Sequence, residues 1–433
     1  MNYPELAGKR LLVLGAMQRT CVIVNRAREL GVYVIVADYF EDSPAKKIAD
    51  EALLVDATDV DTLAKYCIEN HVDGVITAYV DPLLPACFEI ARRSGISCYM
   101  TEPMIRMATD KVFFKQTCEK YGVPVPKTYA VDAVHYKEQG KQLPFPVFLK
   151  PVDASGSRGA DVACSYEDFL KQFEYALTFS KKKEITVEDW LRGTEFILDY
   201  ILIDGEPYLM SMADRFAASG RSVAVNNCNL MMLPSRHVHQ YLETIDPLVK
   251  NMFREMGFQN GVIFLQGYVD EEKVTFYEMG CRLGGTWPYV DEHFTGLNPI
   301  DLLVNHTITG SMLPEGQKMN IPISPLFGGK SAIIYFLGVK PGAVISLIKG
   351  LDEVRNMPET ACVIQYYFEG DKLNMDRQTD ILLLAVHLVA PDFDRLQTVV
   401  NEVYEKIDYL DENGESILMD VIPVDPLEEQ YGF

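Results

Sequence analysis

The sequence predicts a multidomain protein of mixed α/β and α+β class, opening with a parallel-sheet α/β domain. Three observations predict it. Short β-branched strands alternate with helical stretches over the first hundred residues. The texture changes near residue 105 to longer strands and hairpins, and a third region follows in which apolar strands mix with a long helix. A chain of 433 residues has the length for two to four domains, each able to bury its own core. The expected divisions are 1–105, 106–315 and 316–433.

In the first region Arg10–Gly15 is a short apolar strand, and Thr20–Leu30 follows with helical spacing at Val22, Ile23, Ala27 and Leu30. Val32–Ala37 is a second strand, ending at Asp38. Leu53–Val55 and Gly74–Thr77 read as further strands, with helices Asp61–Asn70 and Leu83–Ser94 between them. Strand–helix alternation of this kind implies a parallel sheet covered on both faces. Next, Met107–Tyr121 is predicted as one helix, stopped by Gly122-Val-Pro-Val-Pro126. Then come a strand at Val147–Lys150, a Gly/Ser loop, a helix at Tyr166–Leu177, and strands at Ile185–Glu188 and Phe196–Ile203. A helix at Ile245–Met256 precedes strands Val262–Val269 and Val274–Met279. The last region holds strands Ser331–Leu337 and Ile381–Leu388 and the helix Asp392–Ile407.

Composition narrows the function. Hydrophobic residues are 48% and charged residues 24%, the balance of a folded chain. A formal charge of −22 argues against nucleic-acid or anionic-membrane binding, where a basic face is expected. An anionic ligand therefore needs locally placed Lys, Arg and backbone N–H groups. Nine cysteines without a CxxC pair signal neither zinc nor a disulfide framework. The opening MNYPELAGKR lacks the order of a signal peptide, and no apolar run approaches membrane-spanning length, so a cytoplasmic protein is expected.

Four segments carry chemistry. Gly15-Ala-Met-Gln-Arg-Thr20 lies between a strand and a helix, with Asp38 at the position of a ribose-binding acid. It lacks the second glycine that brings a backbone close to a pyrophosphate, so one wall of a substrate cleft is expected here rather than a dinucleotide site. Lys150 ends an apolar strand before Asp153-Ala-Ser-Gly-Ser-Arg-Gly159. A fixed ammonium followed by a small-residue loop, with Ser155, Gly156, Ser157 and Gly159, suits a phosphate group; a plain turn is the structural alternative. In Thr186–Glu195 an acidic strand end turns at Gly193, an arrangement able to meet an adenine edge and ribose hydroxyls, or else a simple hairpin. Finally, the turn Asp270–Lys273 joins two strands so that Gln266 falls opposite, or one residue from opposite, Glu278. Period-two alternation carries Gly280 and Arg282 onto the same face. A carboxylate, an amide and a guanidinium sharing one space suit a Mg²⁺ ion and phosphate oxygens; a Glu278–Arg282 salt bridge is the structural alternative. His237 and His239 lack a third ligand nearby and read as surface residues.

Taken in order, these segments resemble the ATP-grasp superfamily, most of all its carbamoyl-phosphate-synthase-like carboxylate–amine ligases such as the L-amino acid ligases. The resemblance rests on Ala37-Asp-Tyr39, Asp73-Gly-Val-Ile76, Thr109-Asp-Lys111, Phe148-Leu-Lys-Pro151, Glu188-Asp-Trp-Leu191 with Glu195, and Tyr277-Glu-Met-Gly-Cys-Arg-Leu-Gly-Gly285. It implies an ATP-grasp fold over 106–315, preceded by the α/β domain and followed by a C-terminal α+β domain. By the same resemblance Lys111 and Lys150 would hold the α- and β-phosphates, and the loop Ser155–Gly159 would close over the β- and γ-phosphates. Glu188 and the backbone of Asp189, Trp190 and Leu191 would meet adenine, and Glu195 the ribose. Gln266 and Glu278 would bind metal, and Arg282 would stabilise the transferred phosphoryl group. Two departures stand out: Gln266 where many members have an acid, and Gly280 where many have Asn.

The resemblance implies a ligase that uses ATP with Mg²⁺, or Mn²⁺ in its place. Its substrates would be a small carboxylate and an amine, joined through an acyl phosphate. A homodimer is suggested on the same ground. Two rivals are a bicarbonate-activating enzyme and a nucleotide-binding protein that has lost catalysis. Arg215, Arg221 and Arg236 fall in a segment able to face the substrate.

Overall fold

The computed structural model describes residues 1–77, 79–152, 159–217, 228–284, 287–319, 323–326, 329–373 and 381–419. At the N-terminus β1 (Arg10–Leu14), β2 (Tyr33–Asp38), β3 (Glu51–Leu54) and β4 (Gly74–Thr77) pair in parallel, in the order β3-β2-β1-β4. Leu11–Leu14 and Val34–Ala37 are buried on both faces, as a sheet flanked by crossover helices requires. Strand order reverses direction between β1 and β4, and in such sheets the carboxyl ends of the two strands frame a crevice. Gly15, at φ +85°, turns the chain there; a Cβ on it would lie 3.2 Å from Leu83, so the loop after β1 packs on the segment after β4. Asp38 is engaged in holding this region, accepting from Ala16 N at 3.0 Å and Phe40 N at 2.8 Å.

The helix expected over Met107–Tyr121 is two helices, Glu102–Thr109 and Lys111–Lys120. Asp110 breaks it: its backbone is extended, and its carboxylate accepts from the N–H groups of Val112 and Phe113, capping the second helix. That cap sets Lys111 in the first turn and Lys115 one turn further along the same face.

A small antiparallel sheet follows, with β5 (Thr128–Tyr129), β6 (Val147–Pro151), β7 (Asp161–Ala163) and β8 (Ile185–Asp189) in the order β5-β8-β6-β7. Val147, Leu149, Ile185 and Val187 bury one face against Phe169 and Phe173 of helix Tyr166–Phe179. Period two then sends Lys150 and Glu188 to the other face.

The large antiparallel sheet contains β9 (Thr194–Ile203), β10 (Glu206–Ala217), β11 (Cys228–Leu233), β12 (Gly261–Val269), β13 (Val274–Gly280) and β14 (Lys330–Gly338). β15 (Leu347–Lys349) pairs separately with β18 (Asp408–Leu410), while β16 (Thr360–Gln365) and β17 (Ile381–Ala390) complete the large sheet. Its order is β13-β12-β9-β10-β11-β14-β17-β16, so strands from the last region extend the sheet that carries the Gln266–Glu278 hairpin. Helix Phe393–Lys406 covers that end through Leu396, Val399, Val400 and Val403. Among the described residues no helix is long and apolar enough to cross a membrane.

Candidate active site

Three lysines gather at the second face of the small sheet, Lys150 from the sheet itself and Lys111 and Lys115 from the helix Lys111–Lys120. The ammonium groups of Lys150, on β6, and Lys115 both pair with the Glu188 carboxylate on β8; the three side chains are 11%, 9% and 3% exposed. Lys111 lies within electrostatic reach of both lysines. Burial, joined by the neighbouring positive charge of Lys111, pushes Lys115 down to about 8, and burial with Lys115 and Lys111 pushes Lys150 well below the ordinary lysine range. Glu188 bridges two of the three ammonium groups, while Glu119 and Asp189 act electrostatically on Lys115 and Glu278 on Lys150. Lys115 escaped the sequence reading, although its spacing of four from Lys111 places it on one helix face.

Asp189 follows on β8 and Trp190 and Leu191 continue half-buried, with the Arg192 guanidinium 4.5 Å from the Trp190 ring centre. At Gly193 (φ +102°) an added Cβ would lie 2.3 Å from the Val269 carbonyl, so the turn into β9 requires glycine. Gly159 ends the small-residue loop; Ser155, Gly156 and Ser157 lie outside the described residues, as does Arg221.

The turn pairs Val269 with Val274, and a one-residue shift further along the hairpin brings Gln266 on β12 directly opposite Glu278 on β13. A bulge makes Tyr277 the extra residue, and its hydroxyl lies 2.6 Å from Glu195 and 3.2 Å from Gln266 Oε1. Arg215, across from Glu195 on β10, donates to the same Glu195 oxygen at 2.5 Å. Glu195 is thus 8% exposed inside an Arg215–Tyr277–Gln266 network. Arg236 pairs with Thr194 and lies 3.8 Å from Asp214. His237 and His239 sit at the start of helix Val238–Thr244 rather than on a strand, and no cluster of three metal-ligating side chains occurs among the described residues.

Gly280 pairs with Phe264, and a Cβ on it would fall 2.2 Å from the Phe264 ring. The Arg282 guanidinium lies 4.9 Å from the centre of that ring and forks onto Asp81 through Nε and Nη2, both at 2.8 Å. Its ionic partner is therefore Asp81, beyond β4, and not Glu278. No sequence signal marked Asp81.

The crevice at the ends of β1 and β4 holds a second group of side chains that the sequence reading missed. Tyr79 adopts φ +65°, and its buried hydroxyl has no hydrogen-bond partner among the described residues. A side chain held in the left-handed region with its buried hydroxyl unpaired is the pattern of a functional position. Tyr366 and Tyr289, and the guanidinium groups of Arg19 and Arg282, act electrostatically on the Tyr79 phenol. Burial keeps that phenol protonated.

With this geometry in hand, comparison with known proteins is decisive for the central region. The ATP-grasp domain family model matches residues 143–288. This chain carries an ATP-grasp domain. That segment holds Lys150, Glu188, Glu195, Gln266, Glu278 and Arg282; Lys111 precedes it. The formate-dependent phosphoribosylglycinamide formyltransferase of Synechococcus sp. (strain CC9311) is 26% identical over 207 residues, 47% of this chain and 51% of that one. The carbamoyl phosphate synthase large chain of Clostridium beijerinckii is 24% identical over 334 residues, 75% of this chain and 30% of that one. The chain spans about half the length of the formyltransferases it matches. The crystal structure of L-amino acid ligase from Bacillus licheniformis superposes with a TM-score of 0.74 at 17% identity, covering 94% of this chain and 99% of that one. That likeness is one of fold, and it covers nearly the whole chain.

Proposed function

We propose that the protein is an ATP-dependent carboxylate–amine ligase that forms an amide through an acyl phosphate. One observation carries the reading: Glu278 of the hairpin acts on the buried Lys150 ammonium. The cationic face of the small sheet and the Gln266–Glu278 pair therefore open onto one cleft. A nucleoside triphosphate suits it, since Lys111, Lys115 and Lys150 gather three cationic groups on one side and a polyphosphate matches them. The Glu278 carboxylate and the Gln266 amide oxygen suit a hard cation held also by phosphate oxygens, as Mg²⁺ is. When bound, that ion supplies charge neutralisation at the transferring phosphoryl group.

The remaining steps belong to side chains of this chain. A carboxylate oxygen of the acid attacks the γ-phosphorus, and the bond to the leaving ADP oxygen breaks. Lys150 and Arg282 offset the charge that spreads over the phosphoryl oxygens, already fixed in place by Glu188 and by Asp81 with Phe264. The amine nitrogen then attacks the acyl carbon, and inorganic phosphate leaves. Arg282 ties this cleft to the crevice beyond β1 and β4, where Arg19, Tyr79, Tyr289 and Tyr366 suit a small organic acid. A single free-standing guanidinium flanked by phenols matches one carboxylate and is poor in charge for a phosphoribosyl group.

Mg²⁺-dependent phosphate release from ATP, measured across pairs of amino acids with bicarbonate present and absent, tests the proposal. Release stimulated by a particular acid and amine together is expected. Release driven by bicarbonate with no organic acid would replace this reading with the bicarbonate-activating one.

A further inference from the structure

The sheet face that carries Gln266 and Glu278 continues past them. Reading along β9 by steps of two, Glu195, Ile197 and Asp199 lie on this face, with Ile197 opposite Gln266 and Asp199 opposite Phe264. Asp199 is therefore one row beyond the Gln266–Glu278 pair, on the side of Gly280 and Arg282. Above it stands Asp291, from helix Trp287–Thr295, with no exposed surface.

These two carboxyl groups face each other in an arrangement that needs explaining. Asp199 accepts a hydrogen bond from Ser211, whereas neither carboxyl oxygen of Asp291 has a donor, although both are buried. A buried carboxylate left without partners is costly, and two together cost more. Burial raises Asp199 to about 6 and, with the Asp199 charge added, raises Asp291 well above the usual carboxylate range. Asp199, Asp291 and Arg282 line a cavity of about 10 Å³ with Phe264, Leu283, Gly284 and Pro288. That is room for one group the size of a water molecule. An ammonium head has this size, donates three hydrogen bonds and carries the charge that the pair lacks. Arg282 does not compete for it, being matched by Asp81.

We propose that Asp199 and Asp291 form the subsite that receives the ammonium group of the attacking amine and takes its proton. This rests on the ligase reading and adds to it the missing proton acceptor. An ammonium has no lone pair; one N–H bond must break before nitrogen attacks the acyl carbon. The pair accepts that proton, the N–C bond forms, and phosphate leaves with the C–O bonding electrons. The departing phosphate takes the second nitrogen proton as the amide forms. Asp291 thereby gains the donor that it otherwise lacks. Placement on the Arg282 side of the cleft puts the nucleophile opposite the nucleotide.

The test uses the full-length protein with ATP, Mg²⁺ and a panel of L-amino acids as acids. The nucleophile is either hydroxylamine, uncharged at neutral pH, or L-alanine, whose amine is protonated there. In Asp291→Asn and Asp199→Asn, hydroxamate formation is expected to stay within about threefold of wild type while amide formation falls about 100-fold, the scale of general-base catalysis. Raising the pH from about 7 to about 9 is expected to restore part of the amide rate, because the unprotonated share of the amine rises by roughly two orders of magnitude. Equal loss with both nucleophiles, or no loss with either, overturns the subsite. A wild-type protein that forms no hydroxamate with any acid overturns the ligase reading itself, a separate outcome.

Discussion

Glu188→Gln is the most informative perturbation of the nucleotide cleft. In the wild type the Glu188 side chain is 3% exposed and faces the ammonium groups of Lys115 and Lys150, themselves 9% and 11% exposed. The substitution preserves shape and removes the charge, leaving two buried ammonium groups, with Lys111 in reach, without the carboxylate that bridges them. Breaking a buried ion pair from one side costs about 3–5 kcal/mol. A loss near about 3 is expected, because Lys115, already down at about 8, relieves part of the strain by releasing its proton. Urea unfolding followed by tryptophan emission reads this locally, since Trp190 lies two residues beyond Glu188 and the chain has two tryptophans. MgADP then separates two roles for the carboxylate. If Glu188 serves mainly as counter-ion, the diphosphate replaces it and the stability gap between variant and wild type narrows by more than about 1 kcal/mol at saturation. If Glu188 serves mainly by accepting from the adenine edge, the gap widens. A variant as stable as wild type without nucleotide refutes the charge argument outright.

Lys150→Ala and Glu278→Ala are each expected to lower ATP turnover by at least about 100-fold, the scale of lost electrostatic stabilisation, with circular dichroism unchanged; near-normal phosphate release in either sinks the site assignment. Because Lys115 titrates near 8 in the folded chain and higher when unfolded, the folded state holds fewer protons between those values, and stability without nucleotide rises with pH across that window. Nucleotide favours the protonated lysine, so its affinity should fall above pH 8; calorimetry near pH 8.5 in buffers of different ionisation heat should report proton uptake on binding, and its absence would remove Lys115 from the site. Gly280→Ala forces a methyl against the Phe264 ring and is expected to cost about 1–3 kcal/mol. In Phe264→Ala that cost should largely disappear, and strictly additive unfolding energies would show that the ring does not enforce glycine. Arg19→Ala should raise KM for the organic acid at least about tenfold with kcat little changed, and an unchanged KM would take Arg19 out of the substrate crevice.

Much of this architecture was legible because it follows from local rules. Leu11–Leu14 and Gly74–Thr77 are apolar runs bounded by turn residues, and the four-residue turn set Gln266 within one residue of Glu278, the bulge at Tyr277 fixing the exact register. Lys150 was legible from its place at a strand end before small residues. What escaped had long-range causes. The break at Asp110 is a capping event inside an otherwise helical pattern. β10 carries Ser211 and Asp214 buried between neighbouring strands, so its sequence lacks the apolar alternation of a half-exposed strand. Asp81, Tyr79 and Arg19 come together only because β1 and β4 are neighbours in space, and no spacing along the chain announces that. Asp291 read as one acid in a charged stretch until the helix that carries it was laid over Asp199.

The two departures from the common ATP-grasp pattern have physical reasons in the same strands. At position 280 an Asn side chain is excluded by the Phe264 ring, and that ring is what the Arg282 guanidinium lies against. Arg282 is held by Phe264 beneath it and by both oxygens of Asp81, so its orientation does not depend on a neighbouring amide. Asp81 lies just beyond β4, which means the residue proposed to steady the transferring phosphoryl group is positioned from the crevice proposed to hold the acid. At position 266 the neutral amide stands beside a carboxylate, Glu195, whose charge is already matched by Arg215 and shared with the Tyr277 hydroxyl. A second acid at 266 would set like charges against Glu195 and Glu278 together. With glutamine there, Glu278 is the charged ligand of the hairpin, and a cation in the cleft depends on nucleotide phosphates for the rest of its charge. Metal affinity without nucleotide should therefore be weak, and binding of the two should be strongly cooperative.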